Sequence, residues 1–198
     1  MKIKICGLKR VEDIEIVNKY KPDYVGFVFA ESKRQISISQ AEELINQLDF
    51  NIKPVGVFVN QTIEFVMSSV EAGIKIIQLH GDEDEAYINE LRKFNILIIK
   101  AVRVSEKSDI EIAEKLPCDY LLLDTYVKNE YGGSGKSFDW SLIPKNIQKP
   151  YFLAGGINMG NIKEAAKTGA YCLDISSGAE ENGLKSADKI KEIMDRSE

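Results

Sequence analysis

The 198-residue sequence is poor in several things, and each shortage closes off a class of function. It has three cysteines, Cys6, Cys118 and Cys172. They are odd in number, far apart and never in a Cys-x-x-Cys pair, which argues against a disulfide framework and a structural zinc site. It has one histidine, His80. That argues against a histidine-ligated metal centre and against a Ser-His-Asp triad built anywhere else. Basic residues are not in excess: 26 Lys and Arg stand against 31 Asp and Glu, and no dense basic block occurs. No nucleic-acid partner is expected. No apolar run reaches the roughly 18 residues of a membrane helix. Met1–Gly7 lacks the apolar stretch of a signal peptide, so the cytoplasm is the expected compartment. There is no Pro/Gly/Ser linker and no break in composition, so residues 1–198 read as one domain. With 44% hydrophobic and 29% charged residues, the chain has the balance of a folded globular protein.

What is present is a repeated pattern. Short apolar, β-rich runs occur at Lys2–Cys6, Tyr24–Phe29, Pro54–Val59, Ile74–Leu79, Ile96–Val102, Tyr120–Asp124, Tyr151–Ala154 and Tyr171–Ile175. They are near-continuous rather than alternating, as in parallel strands covered on both faces. Helical periodicity fills most of the gaps. Val11, Ile14 and Val17 mark one helix, and Ala41, Leu44, Ile45 and Leu48 the next, with Ser39 and Glu42 as its capping box. Ile63, Val66 and Val70 follow, then Tyr87, Ile88, Leu91 and Phe94. A short helix is expected near Ile110–Leu116 and little more than a turn at Trp140–Ile143. Ile162, Ala165 and Ala166 form another, capped by Gly169. Ala187, Ile190, Ile193 and Met194 close the chain. Eight alternations predict an α/β fold, a single-domain (β/α)8 TIM barrel of minimal length, since such barrels begin near about 200 residues. The rival, an open doubly wound sheet, usually has fewer strands and a Gly-rich fingerprint after the first; here only Gly7 follows it.

In such a barrel the chemistry lies at the C-terminal strand ends. Strand seven ends in Gly155-Gly156 and strand eight in Ser177-Gly178 after Asp174. Glycines expose backbone amides and Ser177 adds a hydroxyl, which together read as a phosphate site; the plain alternative is that they only turn the chain. Gly132–Gly135, after strand six, reads as a flap with glycine hinges. Gly135-Lys136-Ser137 fails as a P-loop, because the motif's first glycine would fall on Glu130. Cys6 stands at the end of strand one near Lys4 or Lys9, where a thiolate of lowered pKa could act as base or nucleophile. Cys118 and Cys172 read as buried. Asp124 ends an apolar strand, where a carboxyl is costly unless paired or functional. Asp174 is similar, and could be structural. His80 is a satisfied buried imidazole or faces the mouth. Arg34 is a surface charge or an anchor for a substrate carboxylate. Trp140 reads as packing.

These residues resemble a known family over nearly the whole chain. The matching segments are Lys4-Ile5-Cys6-Gly7-Leu8, Gly26–Phe29, Ser32-Lys33-Arg34, Val55–Asn60, Gln78-Leu79-His80-Gly81, Gly132–Gly135 with Phe138-Asp139-Trp140, Leu153–Ile157 and Asp174–Glu180. In order and on successive strand ends, they are similar to the phosphoribosylanthranilate isomerase family of tryptophan biosynthesis. The resemblance implies an Amadori rearrangement of an aminoaldose phosphosugar to an aminoketose, with no metal and no organic cofactor. It implies Cys6 as general base, Asp124 as general acid and Arg34 facing the anthranilate carboxylate. Gly155, Gly156, Ser177 and Gly178 would hold the phosphate, and His80 and Asp174 would line the same mouth. Where the family often has Gly-x-Lys-Asp, this chain reads Gly183-Leu184-Lys185-Ser186, so any acidic role at Ser186 is in doubt. The expected partner is a small-molecule phosphosugar, and the expected assembly a monomer or homodimer. Another phosphosugar barrel, such as an epimerase or an indoleglycerol-phosphate-synthase-like enzyme, would want a metal site or a catalytic lysine at the strand ends. A barrel that binds phosphosugars without catalysis should have lost Cys6 or Asp124.

Overall fold

A computed structural model describes residues 1–125 and 137–197. The flap expected at Gly132–Gly135, and Lys136 beyond it, lie outside the described residues. Eight parallel strands close into a barrel in chain order: β1 (Lys2–Cys6), β2 (Tyr24–Val28), β3 (Lys53–Phe58), β4 (Ile76–Leu79), β5 (Leu97–Val104), β6 (Tyr120–Thr125), β7 (Tyr151–Leu153) and β8 (Cys172–Ile175). The closing seam pairs β1 with β8, placing Lys4 beside Asp174. Seven helices lie among the described residues: α1 (Val11–Tyr20), α2 (Ile38–Ile45), α3 (Ile63–Glu71), α4 (Glu85–Arg92), α5 (Lys107–Ala113), α6 (Ile162–Ala166) and α7 (Ala187–Ser197). Among the described residues after β6, only the 3-10 turn Trp140–Leu142 precedes β7. None of these helices is long and apolar enough to cross a membrane.

The strands are apolar on both faces because each face meets a different core. Ile3, Ile5, Val25, Phe27, Ile77, Leu121, Leu123 and Leu173 face out into the layer beneath the helices. Tyr24, Val55, Ile76, Ile99, Leu122, Phe152 and Cys172 fill the barrel itself. At the N-terminal end of the interior, Tyr24, Tyr120, Phe152 and Tyr171 pack with ring centroids 5.2–5.8 Å apart. Toward the C-terminal end the interior turns polar, with Lys4, Gln78, His80, Asp124 and Asp174 all buried.

Two local expectations need correction. Helix α2 is capped two residues earlier than Ser39: Ser37 is its cap, accepting from the Gln40 amide at 3.1 Å, while its own amide donates to Gln40 Oε1 at 2.9 Å. Both serines begin a capping-box pattern. The choice falls to Ser37 because buried Ile36 and Ala41 then staple the entry turn to the core. Phe94 is not on the buried face of α4; it is 51% exposed, past the end of the helix. The structure also adds a two-stranded antiparallel hairpin after β8, β9 (Glu180–Glu181) and β10 (Leu184–Lys185). Its turn is Asn182-Gly183, both with positive φ, the two-residue signature of a hairpin that turns with the strand twist.

Candidate active site

A cavity of about 930 Å³ opens at the C-terminal end of the barrel. It is lined by Cys6, Arg34, His80, Asp124, Gly155, Gly156, Asp174 and Ser177, eight of the nine residues singled out in the sequence. Gly178 lies beside it, in a recess shared with Gly156 and Ser177. A Cβ on Gly178 would stand 2.1 Å from the Ile157 carbonyl oxygen, so this glycine lets the loop after β8 lie directly on the loop after β7. Gly155 and Gly156 take positive φ, 82° and 64°, which turns the chain at the cavity wall. Trp140 packs against the outer core and is not among the residues lining this cavity.

Cys6 and Lys4 share the inner face of β1, because side chains two residues apart point the same way. Room for the thiol comes from Gly26 on β2: a Cβ there would stand 2.6 Å from Cys6 Sγ and 3.1 Å from Cys6 Cα. Since part of that clash is with backbone, Gly26→Ala is expected to displace the thiol. A shift near 1 Å can cost on the order of 10²-fold in rate, and overpacking about 1–3 kcal/mol in stability. Turnover and thermal unfolding of the variant measure both; an unchanged rate would mean that the thiol's position does not matter. Ser176 Oγ ties the loop after β8 to the Cys6 carbonyl at 3.1 Å.

The lowered thiol pKa expected from the sequence does not hold. Burial pushes Cys6 up and Asp174 adds to it; Lys4, Lys185 and Arg34 pull the other way without offsetting it. Lys9 is not among the groups that shift the thiol most, and its ammonium donates to the Lys33 carbonyl. Cys118 and Cys172 are buried as expected.

Asp124 is 5% exposed, and both its oxygens are engaged. Oδ2 lies 3.2 Å from His80 Nε2, and Oδ1 accepts from the Thr125 amide at 2.7 Å. The buried carboxyl is therefore paired. His80 Nδ1 lies 2.9 Å from Gln78 Nε2, and Lys4 Nζ donates to Gln78 Oε1 at 2.5 Å and to Asp174 Oδ2 at 2.9 Å. Burial works against the Lys4 ammonium, but Asp174 and Cys6 outweigh it and raise its pKa. Asp174 Oδ1 is buried and has no hydrogen-bond partner among the described residues.

Arg34 crosses Gly7, where a Cβ would meet Arg34 Cδ at 2.4 Å. Its Nε and Nη2 donate to the two oxygens of Glu180 at 2.7 and 2.8 Å. Lys185 Nζ, from β10, reaches Glu180 Oε1 at 2.7 Å and the Ser176 carbonyl at 3.1 Å. Burial opposes the Glu180 charge, but Arg34 and Lys185 override it and take its pKa down to about 2. One carboxylate thus faces two cations, and Nη1 with the outer Nη2 hydrogen of Arg34 is left as a second fork for a planar anion. The sequence reading gave no site role to Glu180, Lys185 or Gln78, and named Lys4 only as a neighbour of Cys6. The Asn-Gly dipeptide at 182–183 was the available signal for the hairpin that brings in Glu180 and Lys185. Lys4 and Gln78 stood inside the matching segments around Cys6 and His80, but nothing there marked the contacts they make. Among the described residues, no cluster of three or more His, Cys, Asp or Glu is arranged to hold a metal ion.

Comparison with known proteins agrees over the full length. The family model described as N-(5'phosphoribosyl)anthranilate (PRA) isomerase matches residues 3–196. The N-(5'-phosphoribosyl)anthranilate isomerase of Clostridium acetobutylicum is 47% identical over 201 residues, covering 99% of this chain and 97% of the relative. A crystal structure of mutually generated monomers of the dimeric isomerase from Thermotoga maritima superposes with a TM-score of 0.87 at 34% identity, covering 100% of this chain and 98% of the other. A phosphoribosylanthranilate isomerase in complex with reduced 1-(o-carboxyphenylamino)-1-deoxyribulose 5-phosphate gives a TM-score of 0.86 at 34% identity, covering 98% and 96%.

Proposed function

The chain belongs to the N-(5'-phosphoribosyl)anthranilate isomerase family, and we propose that it carries out the family's reaction with Cys6 as general base and Asp124 as general acid. It is an aldose–ketose isomerase of tryptophan biosynthesis, converting N-(5-phosphoribosyl)anthranilate to 1-(2-carboxyphenylamino)-1-deoxyribulose 5-phosphate by Amadori rearrangement. The observation that carries the assignment of roles is that a thiol and a carboxyl line one cavity, flanked by a glycine-rich turn and an arginine fork.

Asp124 donates a proton to the furanose oxygen, the ring C–O bond breaks and an iminium forms at C1. The iminium acidifies the C2 proton, and the Cys6 thiolate removes it to give an enolamine. Transfer of the O2 proton to C1 completes the ketone. The enzyme is left with Cys6 protonated and Asp124 ionised, and one proton exchanged through solvent restores both. The two transfers occur at different substrate atoms, which suits groups on separate strands, β1 and β6. Gly155, Gly156, Ser177 and Gly178 hold the phosphate, with Gly178 allowing the close approach of the two loops. The free fork of Arg34 receives the anthranilate carboxylate. Asp174 Oδ1, lacking a partner, accepts from a sugar hydroxyl, and His80 completes the wall. Anchoring both ends of the substrate fixes the sugar between acid and base.

The substrate is a small phosphosugar, and no nucleic acid or membrane takes part. The reading places the enzyme in the cytoplasm, as a monomer or a homodimer like its Thermotoga relative; light scattering of the purified protein distinguishes the two. The function itself is tested by mixing purified protein with phosphoribosylanthranilate, without added metal, and following loss of the aminoaldose. Absence of turnover would overturn the reading.

A further inference from the structure

Four buried polar side chains run in a line from the floor of the site to Asp124, and the reaction scheme uses only the last of them. Lys4 is fully buried, and its ammonium can only donate. Its 2.5 Å contact therefore identifies the facing Gln78 atom as the amide oxygen, which turns the Gln78 NH2 toward His80. That NH2 lies 2.9 Å from His80 Nδ1 and can likewise only donate. Nδ1 must then be the acceptor and carry no hydrogen. The single proton of the ring sits on Nε2, 3.2 Å from Asp124 Oδ2. Each step follows from donor–acceptor arithmetic along the chain of contacts.

Resting on Asp124 as the acid, we propose that Lys4 and Gln78 are positioning residues that hold His80 as the neutral Nε2–H tautomer, so that Asp124 keeps its transferable proton for the substrate. The consequence has two parts. An imidazolium at this distance would favour the ionised carboxylate and make Asp124 a poorer acid; the Gln78 donor facing Nδ1 opposes that state. An imidazole with a bare Nε2 would itself take a proton from Asp124; the same Gln78 donor opposes that tautomer. With Nε2–H on Oδ2 and the Thr125 amide on Oδ1, the proton Asp124 delivers sits on a remaining lone pair. Asp174 belongs to the arrangement as the counter-charge that keeps Lys4 a cation.

His80 is the only histidine, so the protein labelled with 15N-histidine gives one imidazole and no assignment problem. In the full-length wild-type enzyme at neutral pH, long-range 15N–1H correlation is expected to show Nε2 protonated and Nδ1 bare. A proton on Nδ1, or on both nitrogens, would overturn the inference. The Gln78→Glu variant replaces the donor with a carboxylate that can only accept, while still receiving Lys4. There the proton is expected to move onto Nδ1. kcat should fall at least about tenfold, within the ~10²–10⁴ that a general acid contributes, with KM changed less than about threefold. A moved proton with unchanged kcat, or a loss confined to KM, would overturn the link to Asp124. The wild-type spectrum decides the tautomer however the variant folds. An active Asp124→Asn enzyme with the expected spectrum would refute the acid assignment and leave the tautomer standing.

Discussion

Cys6→Ala is expected to reduce kcat by about 10²–10⁴-fold, the range for removal of a general base, while inorganic phosphate still binds nearly as well as in the wild type. The two readouts separate because the thiol and the glycine-rich cradle occupy different walls of one cavity. Folding should survive, since the lost sulfur borders the cavity rather than a packed interior. A serine in its place should not rescue the rate, because a hydroxyl is far harder to ionise than a thiol. The pH profile carries the same physics. Burial holds the thiol's pKa above its ordinary 9.0, with Asp174 adding to the shift and Lys4, Lys185 and Arg34 opposing it. The active form of Cys6 is the thiolate, so its rate of alkylation, followed at Cys6 by mass spectrometry, should climb as pH rises through the neutral range toward the alkaline side, whereas kcat/KM also carries the opposite limb of the Asp124 acid. Steady-state kinetics with substrate, and competition by phosphate, measure both predictions. Retention of most of the rate in Cys6→Ala would remove Cys6 from the mechanism, and a Cys6 alkylation rate already at its plateau below neutral pH would contradict its environment.

Asp124→Asn should be comparably damaging, with kcat down about 10²–10⁴-fold and KM little changed. An amide has the shape of the carboxyl but no proton acidic enough to give to the furanose oxygen, so ring opening loses its acid. The substitution also disturbs the neighbours in a defined way. Asp124 accepts at both oxygens, from Thr125 N and from His80 Nε2, whereas asparagine has one acceptor and an NH2 that must face the other donor. Leaving one buried donor unmatched costs about 1–3 kcal/mol, which thermal unfolding would register as a modest loss of stability. There is little room to relax, since a Cβ on Gly155 would already lie 3.0 Å from Asp124 Oδ1. If the variant keeps most of its turnover, the proton comes from elsewhere. If it loses substrate binding and turnover in proportion, Asp124 is an anchor and not the acid.

The eight strands were legible because parallel strands buried on both faces leave near-continuous apolar runs, and β1 lies at Lys2–Cys6 as the pattern predicts. Once the strands are known, barrel closure puts Cys6, His80, Asp124 and Asp174 at one rim, which is why these positions could be named without coordinates. The reading failed where a choice depended on distant partners. Ser37 and Ser39 both begin capping patterns, and only the packing of Ile36 decides between them. Lys4, between two isoleucines, reads only as a basic neighbour of Cys6, yet it is fully buried and points into the barrel while Ile3 and Ile5 face the helices.

The chain's order of apolar runs and turns therefore determined the barrel, its strand ends and the residue types on its rim, because those follow from periodicity and local chemistry. Tertiary structure alone decided which face of β1 is inside, that Glu180 and Lys185 grip Arg34, that burial raises the Cys6 thiol, and that Lys4 reaches Asp124 through Gln78 and His80. Those outcomes depend on contacts between residues up to 170 positions apart and on how much water each group loses. Neither quantity is written in the spacing of residues along the chain.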